Sequence, residues 1–216
     1  TCTVLDGVYK RTGKINIVSA GRTEGITLNI GFDNSEAYSA WKAKKLNSIT
    51  LPSISGGTVS GLMSSINWFF TDSHEDFAIF QIVVKNDSKD GTYYPQYINR
   101  ITLDSNGEYA LCYQARTETL LINDTPTETS LPEGYGVAPF LYVHRVLDFI
   151  FSEFGYTITE NPFKTDKELS SLVILNNAAD CCVTGILNYA DLMPDCTIED
   201  FLNALYVRFG LVYNVS

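Results

Sequence analysis

Two short clusters carry the residue types that acid–base or metal chemistry needs. His74, Glu75 and Asp76 stand side by side, and His144, Arg145 and Asp148 stand at i, i+1 and i+4. An imidazole next to a carboxylate could ligate a metal or relay a proton. Three adjacent residues on a strand or turn point in different directions, however, so His74-Glu75-Asp76 reads as a solvated turn. His144 and Asp148 share one face of a helix and can interact locally, but neither cluster comes with a nucleophile or a recognisable pocket motif. His74 and His144 are the only histidines and no Cys-x-x-Cys occurs, so no metal-ligand spacing exists. Phosphate-binding glycine loops, dinucleotide fingerprints, Gly-x-Ser-x-Gly elbows and His-Glu-x-x-His helices are also missing. The expectation is a protein that is not an enzyme and has no catalytic residue, cofactor or metal site.

Aromatic residues are the other candidates. Trp68 lies in Asn67-Trp68-Phe69-Phe70, and Tyr93, Tyr94 and Tyr97 form a second group. Exposed, these rings would make a stacking platform for a sugar or an interface with a partner; an unbroken apolar cluster is otherwise core.

The elements that position these residues follow from periodicity. In the run from Val137 to Thr159 the polar residues His144, Arg145, Asp148 and Ser152 fall on one narrow stripe of a helix, the rest being largely apolar. That helix must be buried on most sides, is too charged to span a membrane, and ends at Gly155 in a left-handed cap. Tyr156 to Thr159 then reads as a strand. The design recurs at the end of the chain, where Thr197 and Asp200 spell a capping box, Phe201, Leu202, Leu205, Tyr206 and Phe209 hold helical spacing, and Gly210 closes the helix before Leu-Val-Tyr.

The first half reads as sheet with one helix. Residues 1 to 32 alternate as a meander with turns at Arg11-Thr12-Gly13 and Ala20-Gly21-Arg22. A short helix from Ala37 to Leu46 follows, and then Pro52 to Ser65 as a Gly/Ser-rich loop or linker. Phe77 to Val84 reads as one buried strand, and Ser105-Asn106-Gly107 as a hairpin turn before Tyr109 to Tyr113. Leu169 to Leu175 and Ile186 to Leu192 are further strand candidates. The expected fold class is α+β, with a β-rich domain over 1–125, a boundary in the polar stretch 117–136, and an α+β domain over 137–216 built from two helix-glycine-strand units.

Composition narrows the partners. The 216 residues are 45% hydrophobic and 19% charged, with 13 tyrosines and 12 phenylalanines, enough to fill a core. A net charge of -10 argues against nucleic acid or an anionic membrane as the main partner. The five cysteines, Cys2, Cys112, Cys181, Cys182 and Cys196, make no even framework and are expected reduced and buried. The chain starts at Thr1 without methionine and stops directly after strand-like residues, so both ends are expected to be cuts from something longer.

The order of sheet, long helix with a Phe-Gly-Tyr exit, Met-Pro-Asp-Cys-Thr-Ile-Glu-Asp-Phe-Leu entry and Phe-Gly-Leu-Val-Tyr exit resembles structural proteins of phage or prophage tails and baseplates. The phrase is carried here by Pro194, Thr197, Asp200, Phe201, Leu202, Phe209, Gly210 and Leu211. The resemblance implies a non-enzymatic subunit that assembles with itself as a ring around the tail axis and with other tail proteins, binding neither nucleic acid nor membrane. It would reside in the bacterial cytoplasm during assembly and then in the virion tail. Two alternatives are a carbohydrate- or surface-binding module at the cell surface, using Trp68, Tyr93, Tyr94 or Tyr97, and a hydrolase domain using clustered carboxylates.

Overall fold

The computed structural model describes residues 2–6, 9–21, 25–32, 41–66, 74–83, 97–122 and 125–211, with side chains from 41 onward apart from that of Leu121. Its described part is α+β, with small antiparallel sheets and few helices, as the residue pattern leads one to expect. The chain divides into two compact units, one made of Thr1–Leu46 with Cys196–Ser216 and the other of Asn47–Asp195. Within the second unit, the polar stretch read from the sequence as a linker instead mostly forms a regular hairpin, Arg116–Ile122 against Thr125–Leu131.

In the first unit, β1 (Cys2–Asp6), β2 (Tyr9–Gly21) and β3 (Gly25–Phe32) form the expected antiparallel meander. Arg11-Thr12-Gly13 is not a turn: it lies inside β2, opposite Val4, Thr3 and Cys2. Gly13 is held in the ladder on both sides, opposite Cys2 on β1 and Phe32 on β3, and that pairing outweighs the turn tendency of the one glycine.

The second unit opens with β4 (Ser53–Ser55) and α1 (Val59–Ile66), where a loop was expected. Low propensity concealed a helical apolar pattern: Val59, Leu62, Met63 and Ile66 are all buried on one face. Thr58 caps this helix, its hydroxyl accepting from the Gly61 N–H at 3.1 Å. Gly56 serves close approach, since a Cβ there would fall 1.9 Å from the Leu62 nitrogen.

Phe77 to Val84 is likewise not one strand. It supplies β5 (Phe77–Ala78) and β6 (Ile82–Val83), with Phe80 and Gln81 exposed between them. β6 pairs with β7 (Tyr97–Ile98), and β8 (Ile101–Leu103) with β9 (Tyr109–Leu111) around the expected turn, where Gly107 has φ +79°. β10 (Arg116–Ile122) and β11 (Thr125–Leu131) make the longest hairpin of this unit. β12 (Phe140–Leu141) pairs with β5, which explains the break: the chain changes partner between β5 and β6.

The central helix is shorter than its apolar run. α2 spans Val143–Glu153, while Val137 to Leu141 is buried but extended. Asn99 holds it so. Fully buried and at φ +55°, Asn99 donates its amide N–H groups to the carbonyls of Ala138 (2.8 Å) and Phe80 (3.1 Å), and its Oδ1 accepts from the Ala138 N–H (2.9 Å). Asparagine tolerates this left-handed backbone better than most residues. At the other end of α2, Gly155 (φ +77°) completes a Schellman cap: the Gly155 N–H donates to Ser152 and that of Tyr156 to Phe151. No strand follows at Tyr156–Thr159.

α3 (Pro162–Thr165) comes next, capped by Asn161. The expected strand at Leu169–Leu175 is a 3₁₀ turn at Leu169–Ser171 followed by a single bridge from Val173 to Tyr142. β13 (Ile186–Asn188) pairs with β4 and gives way to a 3₁₀ turn at Tyr189–Leu192. Back in the first unit, α4 (Ile198–Phe209) has the predicted capping box between Thr197 and Asp200 and a left-handed Gly210 (φ +69°) at its end. The strand expected after Gly210 falls largely outside the described residues. Cys181 and Cys182 are buried as free thiols, whereas Cys112 and Cys196 are only partly buried, short of the burial expected.

Candidate functional site

The β5–β12 ladder brings the two candidate clusters together across 69 residues. Leu141 faces Phe77 in that ladder, so the residues just beyond, Asp76 and Tyr142, meet: the Tyr142 N–H donates to the Asp76 carbonyl at 2.9 Å. Tyr142 is the N-cap position of α2, which puts Arg145 in the first turn beside the Asp76 carboxylate. Arg145 Nε donates to Asp76 Oδ1 at 2.5 Å. The Tyr189 hydroxyl donates to Oδ2 at 2.8 Å. Arg145 Nη1 also reaches Asp148 at 3.3 Å and Glu75 at 3.5 Å, and its guanidinium sits 5.5 Å from the Phe149 ring centroid.

His74-Glu75-Asp76 is therefore only partly the solvated turn expected. The Glu75 side chain is 77% exposed, but that of Asp76 is 14% exposed. His74 Nδ1 accepts from the Asp76 N–H at 3.0 Å, and its ring stacks on Phe77 at 3.9 Å. The local pairing expected of His144 with Asp148 is taken over by Arg145. His144 stacks on Tyr142 instead, at 5.3 Å, with a buried Nδ1 that has no hydrogen-bond partner.

Electrostatics agree with a structural node. Burial lowers the pKa of both His74 and His144, against the opposing pull of nearby carboxylates. Burial would lower Arg145 too, but the hydrogen bond and charge of Asp76 leave it raised. Burial, then the Asp76 hydrogen bond, raise Tyr189 well above an ordinary phenol. Each oxygen of Asp76 already has a donor, the cation is shared among carboxylates, and the phenol is held protonated. Such a set fixes geometry; it offers neither a free base nor a nucleophile. Tyr189 escaped sequence reasoning, since nothing near it in the chain points to a carboxylate 113 positions earlier.

A separate open cleft of about 370 Å³ is lined by Ala178, Asp180, Cys181, Thr184, Ile186, Asn188 and Asp191. It presents two exposed carboxylates, with the Asn188 amide 3.4 Å from Asp191. The one thiol there, Cys181, donates to the Val137 carbonyl at 3.2 Å, and its contact with Cys182 together with burial raises its pKa, which disfavours the thiolate. Among the described residues no group of three or more His, Cys, Asp or Glu side chains is placed to hold a metal.

Of the candidate aromatics, Tyr97 is half-buried in β7, with the Arg100 guanidinium 6.0 Å from its ring centroid. Trp68, Tyr93 and Tyr94 lie outside the described residues. Exposed apolar groups stand elsewhere: Leu103 and Tyr109, cross-strand partners at the tip of the β8–β9 hairpin, are 62% and 67% exposed.

The chain matches no protein-family model, no curated protein and no solved structure. Among the described residues no helix is long and apolar enough to cross a membrane.

Proposed function

We propose that this chain is a non-enzymatic structural subunit of a phage or prophage tail or baseplate, assembling with copies of itself and with other tail proteins. The observation that carries the reading is the β10–β11 hairpin. Its strands pair only with each other among the described residues, and it presents exposed Thr117, Thr119, Glu128 and Ser130 to solvent. A two-stranded sheet with open edges is marginal alone and suits a protein that completes its sheets in an assembly. The commitment of Asp76, Arg145 and Tyr189 to one another supports the non-enzymatic half of the proposal. The capped helix with its Pro194, Thr197 and Asp200 entry and Gly210 exit supports the likeness to tail proteins.

Immunogold electron microscopy tests it. Antibodies against this chain should decorate tails or baseplates purified from the source cells. Label confined to the cell envelope, with bare tails, would favour the surface-binding alternative and sink the proposal.

A further inference from the structure

The two edges of the β10–β11 hairpin are not equivalent, and the difference is legible in its register. Ile122 pairs with Thr125, leaving two residues between the strands. The closing pair of such a hairpin exchanges hydrogen bonds, and in antiparallel sheet bonded and non-bonded pairs alternate. Ile122–Thr125, Leu120–Thr127, Glu118–Thr129 and Arg116–Leu131 are thus the bonded pairs, while Leu121–Pro126, Thr119–Glu128 and Thr117–Ser130 are not. Pro126 independently requires this assignment, because it has no N–H to give Leu121.

The backbone groups of the non-bonded residues point outward. On β11 that edge is interrupted by Pro126, the device by which sheets blunt an edge. On β10 the outward N–H and C=O groups of Thr117, Thr119 and Leu121 form an uninterrupted row, and none has a partner among the described residues.

We infer that β10 is a self-pairing edge: two copies of this chain join antiparallel, β10 against β10, about a two-fold axis at Thr119. Three features select a second copy in this register. Thr119 faces Thr119 of the other copy, a favourable cross-strand pair, and Thr117 faces Leu121 in bonded pairs on both sides. Glu118 faces Leu120, so no like charges are opposed; a shift of the axis to Glu118 would set two carboxylates against each other. Glu118 is moreover neutralised within its own copy by Arg116 at 2.6 Å and Arg100 at 3.1 Å. Head-to-tail pairing of β10 with β11 would run into Pro126. A two-fold contact joins copies in pairs, so a ring of more than two needs an additional surface. The inference concerns the strand edge alone and stands or falls separately from the tail assignment, which immunogold labelling addresses.

Sedimentation velocity across a wide concentration range tests the pairing. The unsubstituted chain should form a dimer. Thr119→Pro, which removes an outward N–H and leaves the hairpin's own bonds in place, should weaken association at least about tenfold. Ser130→Pro, the matching change on the β11 edge, should leave it within about twofold, with circular dichroism confirming the fold of both. Should either proline variant fail to fold, cysteine pairing replaces it. Bonded pairs hold Cα atoms about 5.5 Å apart, within disulfide reach, so Thr119→Cys should cross-link to a dimer on mild oxidation above the background of the unsubstituted chain, and Ser130→Cys should not. A monomer at every concentration, or equal cross-linking from both positions, overturns the inference.

Discussion

The interior around Asn99 and Asp76 and the rim at β10 handle polar groups in opposite ways. Inside, these two side chains are answered by named partners: the Asn99 amide donates two hydrogen bonds and accepts one, and the Asp76 carboxylate accepts one donor on each oxygen. At the rim, a row of backbone groups has no partner among the described residues and lies beside exposed threonines. Buried groups cost heavily when a partner is lost, whereas solvated ones cost almost nothing until another chain covers them. Stability should therefore respond to substitutions in the first region and association to substitutions in the second.

The largest effect should come from Asn99. Asn99→Ala strands the buried N–H and C=O of Ala138 and places a side chain without Asn's tolerance at φ +55°, and each stranded group costs about 1–3 kcal/mol. A loss of about 3 kcal/mol or more in urea unfolding is expected. Asn99→Gly separates the two causes: it relieves the backbone and keeps the hydrogen-bond loss, so it should be only slightly less damaging. If Asn99→Gly instead matched the unsubstituted chain, the side-chain clamp would be energetically idle.

Asp76→Asn should rank next. It keeps the shape but removes the charge that Arg145 faces most closely, leaving Asp148 and the exposed Glu75 as its partners. The pair is partly screened, so a loss of about 2 kcal/mol is expected, below that of a fully buried pair. Tyr189→Phe removes one hydrogen bond to the same carboxylate and should cost about 1 kcal/mol. In a double-mutant cycle the two changes should be non-additive because they share Asp76.

This order also shows what the residue pattern could and could not convey. Local devices were legible: the Thr197–Asp200 box, Gly155 and Gly210 as caps, and the turn at Gly107 depend on residues within one turn of each other. The helix at Val59–Ile66 was hidden because Ser and Gly are poor formers and only packing reveals the stripe. Phe77 to Val84 looked like a single strand because periodicity does not report a change of partner. The node failed to appear for the same reason: His74-Glu75-Asp76 and His144-Arg145-Asp148 were both visible as clusters, but their meeting depends on the β5–β12 register, and Tyr189 arrives from a third segment.

A smaller effect is expected from pH. The pKa values of His74 and His144 are lowered in the folded chain, so the unfolded chain binds more protons below its ordinary histidine pKa. Their contribution is fully present above about pH 6.5 and is lost as pH falls through the lower folded values. Unfolding free energy should thus decline on acidification below about 6.5. His144→Gln should flatten part of that slope, because the orphaned Nδ1 is where a proton finds no acceptor. An unchanged slope would assign the decline to other groups.

The smallest effect should come from the solvent face of the hairpin. Ser130→Ala alters a side chain that is exposed on β11 and takes no part in the pairing inferred for β10, so neither stability nor association should move: the expected change in unfolding free energy is within about 0.5 kcal/mol. Thr119→Val should match it in the stability of the isolated chain, since a β-branched residue suits the strand. The two diverge only if the rim is covered. Across the two-fold axis Thr119→Val keeps every backbone hydrogen bond but replaces hydroxyls that can bond each other, so its association should change modestly while Ser130→Ala leaves association untouched. Equal stability with unequal association would separate the rim from the interior by measurement, and a stability loss at Thr119 would mean that this edge is already engaged within its own chain.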